Sequence, residues 1–261
     1  RGAALTGVPG LAEMIRHHSV LYRDLADPAA FFRGQTDPDL AAFWPYVFGA
    51  GAAADPDASV RYSRLMRETQ ALVADETLAT VNLSGHRCLM DVGGGTGAFL
   101  SAAISGYPQL KGTLFDLPQV TSQASLTFRE SGQSDRVRIV AGSFREDPLP
   151  AGADAISLVR VLYDHDDATV AALLTKVFQT LPSGGTLYVS EPMTGGARPT
   201  RAGNAYFAIY TMAMQTGRTR SPKQIAAALS RAGFSAVHHH PTVRPFVTSI
   251  GTVRKLRQTS V

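Results

Sequence analysis

Apolar side chains follow two different patterns along the chain, and the change of pattern divides it in two. Between residues 11 and 81 they come three or four positions apart, the spacing of helices that bury one face. From residue 88 onward, short apolar runs alternate with helical patterns as far as residue 191. Such alternation predicts a parallel, doubly wound α/β sheet with ligands at the carboxyl ends of its strands. We therefore expect a helical segment at residues 1–82 and an α/β domain at residues 83–261.

The α/β part contains five short apolar runs bounded by turn residues, a pattern typical of buried strands. Two further runs, at residues 235–240 and 245–253, are joined by a turn. Neighbouring strands joined by a turn pair antiparallel, so we expect a terminal hairpin beside the parallel sheet. The five parallel strands are expected at residues 88–91, 111–116, 137–141, 153–159 and 186–190.

The first of these runs ends on an acid, Asp91, and then breaks into four glycines within five residues. Glycine allows positive φ and lets a ligand approach without meeting a Cβ, while the following helix presents unpaired N–H groups. Gly93, Gly95 and Ala98 satisfy the dinucleotide fingerprint G-x-G-x-x-G/A. Two details favour S-adenosylmethionine instead. The acid would repel a pyrophosphate but suits a sulfonium with an amino-acid tail, and Gly97 follows at the tighter G-x-G-x-G spacing.

Further residues at strand ends predict a nucleoside site. Asp116 ends the second strand, about 20 residues past the glycines, where a carboxylate can accept hydrogen bonds from both ribose hydroxyls. Leu117 follows it directly, and the third strand ends near Ser143 and Phe144, in a loop that is suited to hold an adenine. We expect these four residues to bind the cofactor.

Composition excludes several classes of protein. With 261 residues, 44% of them hydrophobic, the chain can bury a full α/β core and carry an additional segment. Its net charge of +4 comes from scattered basic residues, so we expect no nucleic-acid partner. The single cysteine, Cys88, rules out internal disulfides and suits a reducing cytosol. No apolar run approaches the roughly 18 residues that span a bilayer, so we expect a cytoplasmic protein with at most peripheral membrane contact.

Aromatic residues cluster on two predicted helices. Phe43 and Trp44 lie on a short helix in the first part, and Phe207, Tyr210 and Met214 share one face of a later helix. The first set is consistent with core packing, with a subunit contact or with the wall of a large apolar pocket. We predict that the two sets together line an apolar substrate tunnel.

Two polar clusters suggest metal binding, and each has a simpler interpretation. Residues 238–240 are three histidines in a strand, where consecutive side chains alternate faces and cannot all reach one ion. Asp164, Asp166 and Asp167 precede a helix, and the macrodipole favours acids at that position without an ion. We therefore expect no metal, with a divalent-cation site at these acids as the alternative.

With these residues assembled, the chain from about residue 55 onward resembles the class I, cation-independent O-methyltransferases of secondary metabolism. Residues 157–165 and 190–196 are most similar to the hydroxyneurosporene O-methyltransferases of purple bacteria. The resemblance rests on Asp91-Val-Gly-Gly-Gly-Thr-Gly97, Phe115-Asp-Leu-Pro118, Gly142-Ser-Phe144, Arg160-Val-Leu-Tyr-Asp164, Glu191 and Gly217-Arg-Thr-Arg-Ser221.

The resemblance implies a Rossmann-like fold, S-adenosylmethionine as methyl donor and S-adenosylhomocysteine as product. It implies an acceptor in carotenoid biosynthesis, an acyclic 1-hydroxycarotenoid of photosynthetic bacteria whose tertiary hydroxyl is methylated. It also implies a homodimer interlocked through N-terminal helices, with peripheral contact to the intracytoplasmic membrane as a route to the substrate. The first residues, which end in the turn 7–10, look like a loop that continues from an earlier segment, so we expect such a segment.

Carried over position by position, the resemblance assigns roles and reveals two departures. Arg160 takes the place of a basic residue near the adenine. The family's catalytic histidine falls on Tyr163, and one of the acids that orient this histidine falls on Thr219, while the other is retained as Glu191. Because a tyrosine of ordinary pKa, about 10, is neutral at pH 7, it is a poor base.

Two mechanisms remain open. In one, His165 replaces the base, assisted by Asp164 or Glu191. In the other, a tertiary alcohol loses its proton only as the carbon–oxygen bond forms, and Tyr163 positions the oxygen, so that alignment supplies much of the acceleration. Tyr163 also fits the related bacteriochlorophyllide C-methyltransferases. The residues also leave open O-methylation of another small hydrophobic metabolite, a non-catalytic S-adenosylmethionine-binding regulator and a nicotinamide oxidoreductase.

Overall fold

The computed structural model describes residues 11–43, 69–195, 201–244 and 247–256. Within these ranges, seven strands form one sheet. The strands are β1 (Cys88–Val92), β2 (Lys111–Asp116), β3 (Val137–Ala141), β4 (Ala155–Val159), β5 (Thr186–Glu191), β6 (His238–His240) and β7 (Ser249–Arg254).

The strand order is β3-β2-β1-β4-β5-β7-β6. The first five strands are parallel, and β7 is antiparallel to both β5 and β6. The expected doubly wound sheet with a terminal antiparallel hairpin is thus confirmed. The order reverses between β1 and β4, and ligands of such sheets bind beyond the carboxyl ends of the strands at this reversal.

Helices cover both faces of the sheet and form an additional layer. A π-helical turn (Arg201–Tyr206) precedes α8, and a 3₁₀ turn (Leu162–Asp164) follows β4. In the described part of the chain, no helix combines the length and the apolar character needed to cross a membrane. The helices are α1 (Leu11–Asp24), α2 (Pro28–Phe32), α3 (Asp39–Phe43), α4 (residues 69–80), α5 (Ala98–Gly106), α6 (Pro118–Glu130), α7 (Asp167–Thr180), α8 (Phe207–Met214) and α9 (Pro222–Arg231).

Two strand boundaries, the end of β1 and the start of β4, differ from the predicted ones. β1 continues past Asp91 because Val92 pairs with Phe115 of β2, so the acid lies inside the strand rather than at its end. β4 begins two residues later than expected. There the carboxylate of Asp154 accepts hydrogen bonds from the backbone N–H of Cys88 at 3.0 Å and of its preceding neighbour at 3.1 Å.

The first three helices share a hydrophobic core with α8 rather than with the sheet. The carboxylate of Asp24, at the end of α1, accepts hydrogen bonds from the backbone N–H groups of Asp39 and Leu40 at 2.7 and 3.1 Å and so fixes the start of α3. This layer therefore holds α8 against the carboxyl end of the sheet. Its buried members are Leu21, Phe31, Leu40, Tyr210, Ala213 and Met214.

Helix α4 packs on the sheet instead. Val73 lies in the same core cluster as Leu89 and Ile250. Glu76 is 2% exposed and accepts hydrogen bonds from the backbone N–H and Nε of Arg244, at 2.9 and 2.8 Å. This contact joins α4 to the segment between β6 and β7. The expected domain boundary at residue 82 stays a prediction.

Candidate active site

The turn between β1 and α5 has the backbone that its glycines were expected to provide. Gly93, Gly95 and Gly97 have φ of +68°, +60° and +80°, which side chains other than glycine rarely adopt. A Cβ on Gly97 would lie 2.6 Å from Cζ of Phe128, so glycine is also required for packing. A Cβ on Gly95 would meet no atom of the described residues within 4 Å, so the space before this turn is open to a ligand.

Asp91 is a buried acid, 1% exposed, that lies directly behind this turn. Its Oδ1 accepts a hydrogen bond from Oγ of Ser157 at 2.7 Å, whereas Oδ2 has no hydrogen-bond partner among the described residues. Burial raises the pKa of Asp91 to about 7, and the nearby Asp116 acts in the same direction, against the Ser157 hydrogen bond. A buried acceptor without a partner is costly, and a cationic ligand group would relieve that cost. The site therefore fits the amino-acid tail of S-adenosylmethionine.

Asp116, at the end of β2, connects two of the expected cofactor-binding stretches. Its Oδ2 accepts from the backbone N–H of Gly95 and its Oδ1 from that of Leu117, both at 2.7 Å. Burial raises the pKa of Asp116, and these two hydrogen bonds oppose the shift. The acid thus fixes the glycine turn against β2, at the position expected for a ribose ligand.

The loop after β3 lies beside the start of α7. The backbone N–H of Ser143 donates to Oδ2 of Asp147 at 2.8 Å, and the ring of Phe144 meets that of His165 edge to face at 5.1 Å. Nη2 of Arg145 donates to Nδ1 of His165 at 3.1 Å. Burial and the charge of Arg145 lower the pKa of His165 to about 4. His165 therefore faces the loop expected to hold the adenine and stays neutral there.

The 162–164 turn (Leu162–Asp164) is held from two sides. On the β5 side, Glu191 Oε1 accepts from the backbone N–H of Val161 and Leu162 at 2.8 and 2.7 Å, and Oε2 accepts from that of Tyr163 at 3.4 Å. Burial raises the pKa of Glu191 to about 7, while these three amides and the charge of Arg160 oppose the shift. Glu191 thus acts as an anchor of the backbone.

On the other side, Arg220 is 4% exposed and reaches the same turn. Its guanidinium donates to the carbonyl oxygens of Leu162 and His165 at 2.7 and 2.8 Å and to Oδ1 of Asp167 at 2.7 Å. Gly217 lies so close that an added Cβ would overlap the carbonyl oxygen of Tyr163. Sequence reasoning quoted the Gly217–Ser221 stretch as a family motif but did not assign this role to either residue.

The half-buried Arg160 and the buried Tyr163 form a pair beside the 162–164 turn. Arg160, at φ +56°, points Nη2 at the hydroxyl of Tyr163, 3.2 Å away, and its charge also acts on Asp164 and Tyr206. Burial raises the pKa of Tyr163 despite the opposing charge of Arg160, so the phenol stays protonated. The structure thus places Arg160 at Tyr163, while His165 lies beside the loop expected to hold the adenine. The expected cofactor contact of Arg160 stays a prediction.

Helix α8 places aromatic rings over this pair. Phe207 meets Tyr163 edge to face at 6.2 Å, and Tyr206 meets Phe207 in the same way at 4.9 Å. Tyr210 and Met214 are buried in the core shared with α1 to α3, so they support the wall from behind. Phe43 ends α3, but its side chain and the whole of Trp44 lie outside the described residues.

Two histidines of α1, which the sequence analysis did not single out, bind the tyrosines of this wall. Nε2 of His17 is hydrogen-bonded to the hydroxyl of Tyr210 at 2.7 Å, and Nε2 of His18 to that of Tyr206 at 2.9 Å. Burial lowers the pKa of His17 to about 4, and the neighbouring His18 adds to the shift. An i, i+1 histidine pair gives no periodic signal, so only the packing of α1 on α8 reveals it.

Two of the three acids of this cluster, Asp166 and Asp167 at the start of α7, have separate partners. Asp166 caps the helix by accepting from the backbone N–H of Thr169 at 2.7 Å, and Asp167 is paired with Arg218 and Arg220 at 3.1 and 2.7 Å. Over the described ranges, no group of three histidine, cysteine or acidic side chains has the geometry of a metal site.

A surface groove of about 370 Å³ lies at the other end of the sheet, lined by Thr186, Tyr188, His238, His240 and Arg254 among others. It shares no residue with the site described above. Thr186 begins β5 and Glu191 ends it, so the groove and the site are separated by the length of that strand.

Known proteins that resemble the chain agree on one family. A family model described as an O-methyltransferase domain matches residues 22–235. The chain is 56% identical over 252 residues to the demethylspheroidene O-methyltransferase of Cereibacter sphaeroides, covering 97% of this chain and 66% of that relative. It is 55% identical over 250 residues to the enzyme of the same name from Rhodobacter capsulatus, covering 96% and 62%. The chain thus spans less than two thirds of the length of either relative.

A solved structure of similar fold is that of NcsB1, an O-methyltransferase from neocarzinostatin biosynthesis, in complex with S-adenosylmethionine and 2-hydroxy-5-methyl naphthoic acid. The TM-score is 0.69 at 27% identity, covering 95% of this chain and 70% of that chain. These findings decide against the dinucleotide interpretation of the glycine turn. The chain belongs to the S-adenosylmethionine-dependent O-methyltransferase family.

Proposed function

We propose that this chain transfers a methyl group from S-adenosylmethionine to the tertiary hydroxyl of an acyclic 1-hydroxycarotenoid. The observation that carries the proposal is the 56% identity with a demethylspheroidene O-methyltransferase over 97% of the chain. The alignment with this relative covers the segments that form the site, including the one in which Tyr163 stands in place of the family's catalytic histidine. C-methylation and regulation without catalysis lack such support.

The donor side of the proposal uses residues at the ends of β1, β2 and β3. S-adenosylmethionine supplies a methyl group on a sulfonium, which is electrophilic without further activation. Asp91 and the turn Gly93–Gly97 would hold its charged tail, and Asp116 with Leu117 its ribose. Ser143 and Phe144 would hold the adenine.

The acceptor side uses the wall formed by Tyr206, Phe207 and Tyr163, supported by Tyr210 and Met214. A long polyene offers mainly apolar contact, and burial contributes about 25 cal/mol per Å². Such a wall suits a carotenoid, whose hydroxyl is its single polar end.

In this mechanism, the alignment of methyl donor and acceptor supplies most of the rate acceleration. Arg160 donates to the hydroxyl of Tyr163 and so holds the phenol in a fixed position beside the acceptor oxygen. Because Glu191 and Arg220 hold the turn that carries Tyr163, the oxygen is placed without reorganisation. Holding two reactants in line can contribute roughly 7–11 kcal/mol. His165, neutral and bound to Arg145, supports the adenine loop in this account.

We further propose that the chain acts as a homodimer and meets its substrate at a membrane surface. Four large apolar side chains of the helical layer are exposed: Ile15 by 51%, Tyr22 by 70%, Phe32 by 54% and Met212 by 45%. Exposed apolar side chains on one layer are typical of a surface that contacts a partner.

The direct test is to incubate the purified protein with deuteromethyl-labelled S-adenosylmethionine and 1-hydroxycarotenoids in detergent, followed by mass spectrometry. We expect one labelled methyl group per hydroxyl end and release of S-adenosylhomocysteine. Binding of S-adenosylmethionine without labelled carotenoid, or a label on carbon, would contradict the proposal.

Removing the ribose-binding acid should weaken donor binding. Asp116→Ala is expected to raise the calorimetric dissociation constant for S-adenosylmethionine at least tenfold, because hydrogen bonds to a charged group contribute about 1.5–3 kcal/mol each. Asp135→Ala, at an exposed acid in the 3₁₀ turn Ser134–Arg136, is the control. A dissociation constant within threefold of wild type in Asp116→Ala would show that another residue binds the ribose.

The two mechanisms separate at His165. We expect His165→Asn to raise the KM for S-adenosylmethionine and to change kcat less than tenfold, because the ring supports Phe144. Tyr163→Phe should lower kcat by less than 100-fold. Removing a general base costs about 10²–10⁴-fold, so a loss of that size in His165→Asn, with wild-type turnover rising through the lowered histidine pKa of about 4, would make His165 the base.

The aromatic wall should determine acceptor affinity. Phe207→Ala is expected to raise the KM for the carotenoid roughly 30-fold, since an apolar contact worth about 2 kcal/mol is removed. Leu126→Ala removes a 40% exposed apolar side chain on α6 and serves as control. If both variants keep the wild-type KM, the acceptor binds elsewhere.

A further inference from the structure

Asp164 has a buried acceptor atom that the mechanism above does not use. It ends the 162–164 turn, and its Oδ1 is buried without a hydrogen-bond partner in the described ranges. Leaving a buried carboxylate oxygen without a donor costs free energy. A buried oxygen without a donor is expected in a binding site, where a ligand donates the missing hydrogen bond.

The charged and titratable groups around Asp164 come from three elements. Arg160 and Tyr163 belong to its own segment after β4, Glu191 faces it from β5, and Tyr210 interacts with it from α8. Gly217 packs against the Cα of Asp164. Asp164 therefore belongs to the same cluster as the hydroxyl of Tyr163, which positions the acceptor oxygen in the proposed function.

The other basic groups nearby already accept hydrogen bonds. Both oxygens of Glu191 accept from backbone amides, and Nδ1 of His165 accepts from Arg145. Tyr163 stays protonated because burial raises its pKa. By geometry, Asp164 Oδ1 is the oxygen of this cluster that is ready to accept a new hydrogen bond.

We propose that Asp164 is the catalytic residue that accepts the hydroxyl proton of the acceptor during methyl transfer. This inference rests on the proposed function. The hydroxyl oxygen forms a bond to the methyl carbon as the bond from that carbon to sulfur breaks, and the sulfur keeps the electron pair. The proton passes to the carboxylate, so a sulfonium and a carboxylate become a neutral thioether and a neutral acid. The proton then leaves to solvent when the next S-adenosylmethionine binds.

The electrostatics of the site agree with this role. Burial and the charge of Glu191 raise the pKa of Asp164 to about 8, against the charge of Arg160 and a hydrogen bond with the side chain of Tyr163. At pH 7 the carboxyl of the free protein is therefore mostly protonated. A cation beside it favours the ionised form and lowers its pKa. Binding of the sulfonium should thus expel the proton and prepare the base.

Proton release measures this step without any acceptor. Calorimetric titrations at pH 7 in two buffers of different ionisation enthalpy give the protons released on binding. We expect S-adenosylmethionine to release roughly one proton more than S-adenosylhomocysteine, which has the same tail but no sulfonium. The difference should disappear in Asp164→Asn and persist in Asp166→Asn, a matched change at a helix cap where asparagine serves equally well.

Turnover supplies the second measurement. Asp164→Asn should lower kcat at least 100-fold with an S-adenosylmethionine dissociation constant within threefold of wild type, while Asp166→Asn keeps wild-type kcat. If Asp164→Asn fails to fold, Asp164→Glu, which keeps a carboxylate, must keep the sulfonium-dependent release. Equal release in wild type and Asp164→Asn, or a kcat loss below tenfold, would overturn the inference. A wild type that releases the proton but methylates no carotenoid would instead contradict the proposed function.

Discussion

The site depends on one buried carboxylate, that of Glu191, which accepts three backbone N–H groups from the segment after β4. These amides are the ones that a short turn leaves without helical partners, and the low dielectric around them makes each hydrogen bond to a charged oxygen strong. Arg220 binds the carbonyl oxygens of the same turn from the opposite side. The carboxylate of Glu191 binds the N–H groups of the turn and the guanidinium of Arg220 binds its carbonyl oxygens, so the turn is held in one position. The position of this turn fixes the positions of Tyr163 and Asp164.

The remaining acids of the site illustrate how a single residue type serves different purposes according to its partners. Asp116 accepts two amides and holds the glycine turn, whereas Asp91 keeps one oxygen available at the donor side. The acceptor side depends equally on the first helices, because His17 binds Tyr210 across the shared core. In the proposed function the helical layer is therefore part of the acceptor wall, and substrate binding depends on the packing of this layer.

Strand positions could be predicted because parallel strands buried on both faces read as apolar runs, and turn glycines mark their ends. The residues expected to bind the cofactor could be chosen for the same reason, since they lie close to the carboxyl ends of strands, and their role stays a prediction. The directions in which the side chains of Arg160 and His165 point could not be predicted from the sequence. One points to Tyr163 and the other to the adenine loop, and this depends on a left-handed backbone at Arg160 and on Arg145, which is distant in sequence. Arg220 and His17 were missed because their partners lie 53 to 193 positions away.

The central claim is that Glu191 acts by holding the turn and not by taking a proton. Hydrogen exchange of the Val161 and Leu162 amides, measured by NMR in wild type and Glu191→Gln together with kcat, tests it most directly. The account predicts that exchange at both amides becomes at least roughly tenfold faster as the charged acceptor is lost, and that kcat falls in parallel while binding of S-adenosylmethionine persists. A fall in kcat with unchanged exchange at these amides would contradict the account, because Glu191 would then act on the reaction itself.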